Sequence, residues 1–193
     1  MRASKTLALA ALLAAGTSLA APRVEAATYT INWTGSGGYS MTGQFSFSDA
    51  LLNTGAITAA SLASFTISVL LNGVAQGSWS LGDAPGPSAE TFNFNFDTTT
   101  ETLLVGGPRF STTGQNWNSN IALTGCGTAV GFVSGQFLQA VCVAGVGYGG
   151  LDTSASTLTA ERVVTEVPEP ASMALFGAGL LGLGAVLRRR RAA

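Results

Sequence analysis

The chain has 193 residues, of which 47% are hydrophobic and 10% charged, with nine bases, ten acids and no histidine. Residues 27–167 hold eight acids against two bases, Arg109 and Arg162, a net −6, which gives no electrostatic footprint for nucleic acid or an anionic polysaccharide. The lack of histidine also excludes Ser-His-Asp and Cys-His catalysis and most zinc catalysis.

Arg2 and Lys5 form a basic start, and Leu7 to Ala15 an apolar core too short to span a bilayer. Small-residue sites follow at Ser18-Leu19-Ala20 and Val24-Glu25-Ala26, the pattern of a secretory signal peptide. Cleavage after Ala26 is favoured, because strand-like sequence starts immediately beyond it. Residues 1–26 are thus read as targeting sequence, and the domain as facing an oxidising compartment.

From Ala27 the chain alternates, with Tyr29, Ile31 and Trp33 on one face and Thr28, Thr30 and Asn32 on the other. That period of two predicts a half-buried strand. Gly35 to Gly38 turn it into a second strand over Tyr39–Phe47. Asp49 to Ala63 reads as a loop with one turn of helix. Ser64–Leu71, Asn72-Gly73 and Ala75–Leu81 read as a hairpin, Asn-Gly being its turn. Phe92, Phe94 and Phe96 alternate with Asn93 and Asn95 as one clean strand, which Asp97 to Thr100 turn into Glu101–Val105. Gly106 to Ser119 is expected to be a polar loop. Strand-like stretches follow at Asn120–Thr124, Ala129–Ala140 and Ser156–Val164, with Gly145 to Gly150 as a flexible turn.

About eight short strands without a long helix predict a mainly β fold, a single antiparallel β-sandwich or jelly-roll-like domain over 27–164. Its core is expected to hold Trp33, Phe45, Phe47, Phe65, Trp79, Phe92, Phe94 and Phe96. The two cysteines, Cys126 and Cys142, are expected to form a disulfide. The calcium pattern Asp-x-Asp-x-Asp is absent.

Without histidine, catalysis would need paired carboxylates, and Glu90, Asp97 and Glu101 lie near one another in sequence. Asp97 suits a turn, however, where Asp is favoured for its local hydrogen bonds, and Glu90 and Glu101 sit at strand entrances, so both read as solvated charges. No catalytic residue, cofactor or metal is expected. Trp117, within Gln115-Asn116-Trp117-Asn118, is a candidate glycan contact. Its alternative role is to cap the end of the sandwich, as large apolar residues usually do.

The C-terminal stretch has three parts. Val167-Pro168-Glu169-Pro170 cannot continue a regular helix or central strand. Ala171 to Leu187 is an apolar run of 17 residues, about 25 Å long as a helix and at the short end of what crosses a bilayer. Arg188, Arg189, Arg190 and Arg191 then form a block that stays on the cytoplasmic side. Ala174, Ala178 and Gly182 recur every four residues, a spacing that suits close helix packing or an enzyme's intramembrane groove.

This tail, residues 165–193, resembles the PEP-CTERM sorting signal in its Pro-Glu-Pro motif, its Gly-rich span and its terminal arginines. The resemblance implies processing near Pro168-Glu169-Pro170 by exosortase, a membrane-embedded transpeptidase-like enzyme. It also implies an inner-membrane-anchored precursor that is then delivered to the cell surface or outside the cell. An ordinary single-pass anchor that is never cut is the plainer reading of the same run. The expected role is structural or interactive, in a biofilm or exopolysaccharide matrix. A carbohydrate-binding module and a carbohydrate-active enzyme are the alternatives.

Overall fold

A computed structural model describes residues 26–84, 86–119, 126, 129–152, 157–164, 177, 179 and 180. The predicted signal peptide up to Glu25, the stretch Asn120–Thr124 and nearly all of the C-terminal tail lie outside these residues. Among the described residues no helix is long and apolar enough to cross a membrane. The chain divides into two compact units between Arg162 and Val163.

Among its described residues the first unit is mainly β, with antiparallel sheets and only two short 3-10 turns, Asp49–Leu51 and Ala59–Ser61. β1 (Ala26–Thr34) and β2 (Tyr39–Ser48) form the expected first hairpin. β4 (Leu62–Leu71) and β5 (Val74–Ser80) form the second. Asn72 and Gly73 both have positive φ, 50° and 80°, as the tight turn between twisted strands requires. With β13 (Thr159–Arg162) these strands build a sheet in the order β13-β1-β2-β4-β5. Its register puts Tyr29 opposite Phe45 and Phe45 opposite Phe65. One face of the sheet is therefore aromatic, while Thr, Ser, Asn and Gln line the other.

The second sheet runs β12-β11-β10-β9-β6. It is made from β6 (Phe92–Asn93), β9 (Gln115–Trp117), β10 (Val130–Ser134), β11 (Gln139–Val143) and β12 (Gly147–Asp152). Three expectations are corrected here. The single strand proposed over Ala129–Ala140 is broken at Gly135–Leu138, a four-residue hairpin tip closed by the Gly135 amide donating to Leu138 O. The glycine-rich stretch 145–150 is not merely a turn, because 147–150 belong to β12. Its glycines let the backbone lie against the Tyr39 ring, where a Cβ at Gly149 would fall 2.6 Å from a ring carbon. Finally, the proposed polar loop 106–119 contains a fully buried strand, β9.

A third, small sheet runs β3-β7-β8, from β3 (Ala56–Thr58), β7 (Asn95–Asp97) and β8 (Thr102–Leu103). β3 occupies part of the segment expected to be a loop with one turn of helix. The alternating run Phe92–Asp97 does not form one strand. Its first half pairs with β9 in the large sheet and its second half with β3 and β8, so the segment changes sheets at Phe94.

All eight aromatic residues expected in the core are buried in one apolar cluster that also takes Tyr29, Trp117 and Phe132. Tyr29 stacks on Phe45 with ring centroids 5.1 Å apart, and Phe45 meets Phe94 and Phe96 edge-on at 5.0 Å. Each such side chain contributes about 1.5–3 kcal/mol on burial, and favourable ring pairs add about 0.5–1.5 kcal/mol. Cys126 and Cys142 are disulfide-bonded across 16 residues, tying β11 to the segment that follows β9.

Candidate functional sites: an apolar cleft and the sorting tail

The segment Phe92–Asp97 builds the first site. Its phenylalanines enter the core, so Asn93 and Asn95 face the loop over 104–114. The Asn93 amide donates to Arg109 O, Ser111 O and Gly114 O at 2.7 to 3.0 Å. Asn95 Nδ2 donates to Ser111 O at 3.0 Å and Gly114 O at 2.7 Å. Gln115 completes the clamp. Its Oε1 accepts from the Asn95 backbone amide at 3.2 Å, and its Nε2 donates to Asn95 O and Leu104 O at 2.6 and 2.8 Å. One side-chain amide thus supplies the bonds of a neighbouring strand, where the backbone switches sheets. Buried backbone groups need such partners.

The loop held in this way carries Pro108 and Arg109 toward the β10–β11 hairpin tip. Between them lies a cleft of about 300 Å³, lined by Pro108, Arg109, Val133, Gly135, Gln136, Phe137 and Leu138. Phe137 is 75% exposed at the tip, and the Arg109 guanidinium lies 5.0 Å from the centre of the Phe110 ring. This lining has one cation, no carboxylate and no nucleophile. Chemically it can receive an apolar group, but it has no acid–base pair to act on one. Nothing in the sequence singled out these residues. The signal that was present, Asn at every second position, was absorbed into an ordinary strand pattern.

The candidate carboxylates do not converge. Asp97 Oδ1 accepts from the amides of Thr99 and Thr100 at 2.8 and 3.3 Å, so it caps its own turn. Glu90 is exposed in the turn before β6. Glu101 Oε1 accepts from the Tyr29 hydroxyl at 2.9 Å and lies 3.8 Å from Arg162 Nη1. Burial pushes the Tyr29 hydroxyl up to about 12, with the hydrogen bond and charge of Glu101 adding to the shift. Among the described residues no three metal-ligating side chains come together.

Trp117 is placed differently from the glycan-contact expectation. It is 0% exposed and packs against Phe132 at 4.8 Å and Phe65 at 5.0 Å between ring centroids. Its Nε1 donates to Gln115 Oε1 at 3.2 Å. A sugar ring has no face of this indole to stack on. The amides around it, Asn116 and Asn118, are also buried and hold backbone carbonyls at Ser119 and Val130. The physical reason is that these side-chain amides pair with backbone groups, the Ser119 hydroxyl and the indole itself, which lets a polar sequence go inside.

The second site lies in the other unit. Val167-Pro168-Glu169-Pro170, the apolar run 171–187 apart from Gly177, Gly179 and Leu180, and Arg188 to Arg191 fall outside the described residues. Sequence comparison decides this part. Residues 166–191 match the PEP-CTERM protein-sorting motif. The match begins four residues after β13 ends and includes the Pro-Glu-Pro motif, the apolar run and the four arginines. A PEP-CTERM motif implies an exported, membrane-anchored precursor that exosortase processes for surface display. No curated protein and no solved structure matches the chain.

Proposed function

We propose that this protein is an exosortase substrate whose cargo is one secreted, disulfide-bonded β-sandwich domain, delivered to the cell surface or extracellular matrix. The observation that carries this reading is the sorting-motif match over residues 166–191. In sequence, a signal peptide over 1–26 starts export, and the apolar run with Arg188 to Arg191 stops it in the inner membrane. Cleavage near Pro168-Glu169-Pro170 then separates the domain from its membrane segment. The disulfide supports passage through an oxidising compartment.

The domain's role is structural or interactive rather than catalytic. Its separated carboxylates and its cleft without a nucleophile support that reading. A matrix of exopolysaccharide is the proposed setting. A carbohydrate-binding module gains no support from the buried Trp117, and a carbohydrate-active enzyme none from Glu90, Asp97 and Glu101.

The test is intact mass and C-terminal sequencing of the protein recovered from its own host. A chain ending near residues 168–170 is the expected result. A chain still ending at Ala193 would make the tail a plain anchor and place the domain's work at the periplasmic face of the inner membrane.

A further inference from the structure

β13 is at once the last strand of the domain and the edge of its first sheet. It pairs with β1, the first strand, in the register Tyr29↔Arg162 to Asn32↔Thr159. Thr30 Oγ1 also donates to Glu161 O at 3.2 Å, and Ala160 packs against the core. The two ends of the domain therefore close on each other. Three elements meet at the point where the chain leaves. Tyr29 from β1 and Arg162 from β13 approach the same oxygen, Glu101 Oε1, at 2.9 and 3.8 Å. Glu101 is held in the turn between β7 and β8 with a φ of 54°. Only Val163, Val164 and Thr165 separate this point from the start of the matched motif.

We infer that β13 is a closing strap, latched by Arg162 on Glu101, and that the tail is removed from a chain whose strap has already closed. The inference rests on the proposed export and processing. A chain exported N-terminus first delivers β1 early and β13 last, while the tail is still held at the membrane. What remains is the addition of one edge strand, comparable to forming a hairpin, which takes about 1–10 μs. A typical enzyme turns over about ten times per second. On a sheet that is otherwise folded, the strap therefore closes well within one such turnover. Closure also matters to the product, because an open strap leaves the long, flat edge of β1 unpaired, a ready template for association with other chains.

The experiment follows newly made full-length protein in its own host by pulse labelling. Spheroplasts are treated with proteinase K at each time, and the tail is scored by intact mass. A proteinase-resistant domain on chains that still end at residue 193 should appear before the shortened mass does. Ala160→Asp places a charge where Ala160 meets the core, and should leave the exported chain proteinase-sensitive both before and after the tail is removed. Arg162→Gln keeps the strand pairing and removes the charge on the latch. It should raise amide exchange across Thr159–Arg162 about twofold to threefold while the rest of the domain stays protected.

Wild-type chains that are shortened while still proteinase-sensitive, or Ala160→Asp chains as resistant as wild type, would overturn the strap. A wild-type chain that becomes resistant but is never shortened would instead sink the sorting proposal. The strap would then stand or fall on the proteinase sensitivity of Ala160→Asp and the exchange of Arg162→Gln.

Discussion

Two parts of the domain are held together by different means. Where β1 and β2 meet the small sheet, Tyr29, Phe45, Phe47, Phe94 and Phe96 fill the interior ring against ring. Around β9 and β10 the interior is instead rich in amides: Asn95, Gln115, Asn116, Asn118 and Gln139 are all buried. Each of these five makes a hydrogen bond in place. Gln139, for example, accepts from the Trp33 indole at 2.9 Å and donates to Ser134 Oγ at 3.2 Å. Ring packing is close to non-directional and gains stability with area. Amide packing is directional, and its main energetic consequence is what it costs to break. The ring region should therefore lose stability in proportion to volume removed, and the amide region in proportion to partners orphaned.

The largest expected effect tests the ring side. Phe45→Ala removes a fully buried ring that touches four others and should cost about 3–5 kcal/mol, read as a lowered urea midpoint at unchanged slope. A loss below about 1.5 kcal/mol would mean that the cluster collapses around the gap and is not closely packed.

Gln115→Met then tests the amide side at nearly constant volume. It leaves the Asn95 amide, Leu104 O and the Trp117 indole without that partner, while Asn95 O keeps its bond from the Leu104 amide. At about 1–3 kcal/mol for each orphaned group, reduced where water enters, the expected loss is about 3–4 kcal/mol. Hydrogen exchange should rise across residues 104–114 in this variant and not in Phe45→Ala. Equal exchange in both would erase the distinction between the two regions.

The disulfide belongs to the amide-rich side, since Cys142 lies in β11 beside β10. Replacing both cysteines by alanine should cost about 3 kcal/mol, the loop-entropy figure for a bridge of this span. Calorimetry with and without reductant checks it. Wild-type protein under reductant should fall to the melting temperature of the double variant.

The same contrast explains which parts of the fold could be read in advance. Alternating aromatics at Tyr29 to Trp33 and at Phe92 to Phe96 announce inward faces, and Asn72-Gly73 announces its turn. These signals are local. The change of sheet at Phe94 is not, because it depends on Gln115, 21 residues away. The sequence around Trp117 is polar, so it reads as exposed until its amides are seen to pair with backbone carbonyls. The cleft beside Phe137 was illegible for a related reason, since its two walls come from a clamped loop and a hairpin tip with no common motif. The sorting tail is the opposite case: everything that marks it is contiguous.

The smallest expected effect concerns Tyr29, which joins the ring cluster to the charged cluster at Glu101 and Arg162. Tyr29→Phe keeps the stack and removes one hydrogen bond, so at neutral pH it should cost about 1 kcal/mol. The alkaline limb is more informative. The folded hydroxyl is raised from 10.0 to about 12, by burial first and then by Glu101, while Asp49 adds to the shift and Arg162 opposes it. Between those values the folded chain keeps a proton that the unfolded chain has lost, so this group's stabilisation falls as pH rises from about 10 to about 12. Below about 10 it contributes no slope. The difference in unfolding free energy between wild type and Tyr29→Phe should thus stay constant to about pH 10, then shrink and change sign toward pH 12. Parallel curves across that range would show that the hydroxyl ionises equally easily in both states, and that Tyr29 belongs to the ring cluster alone.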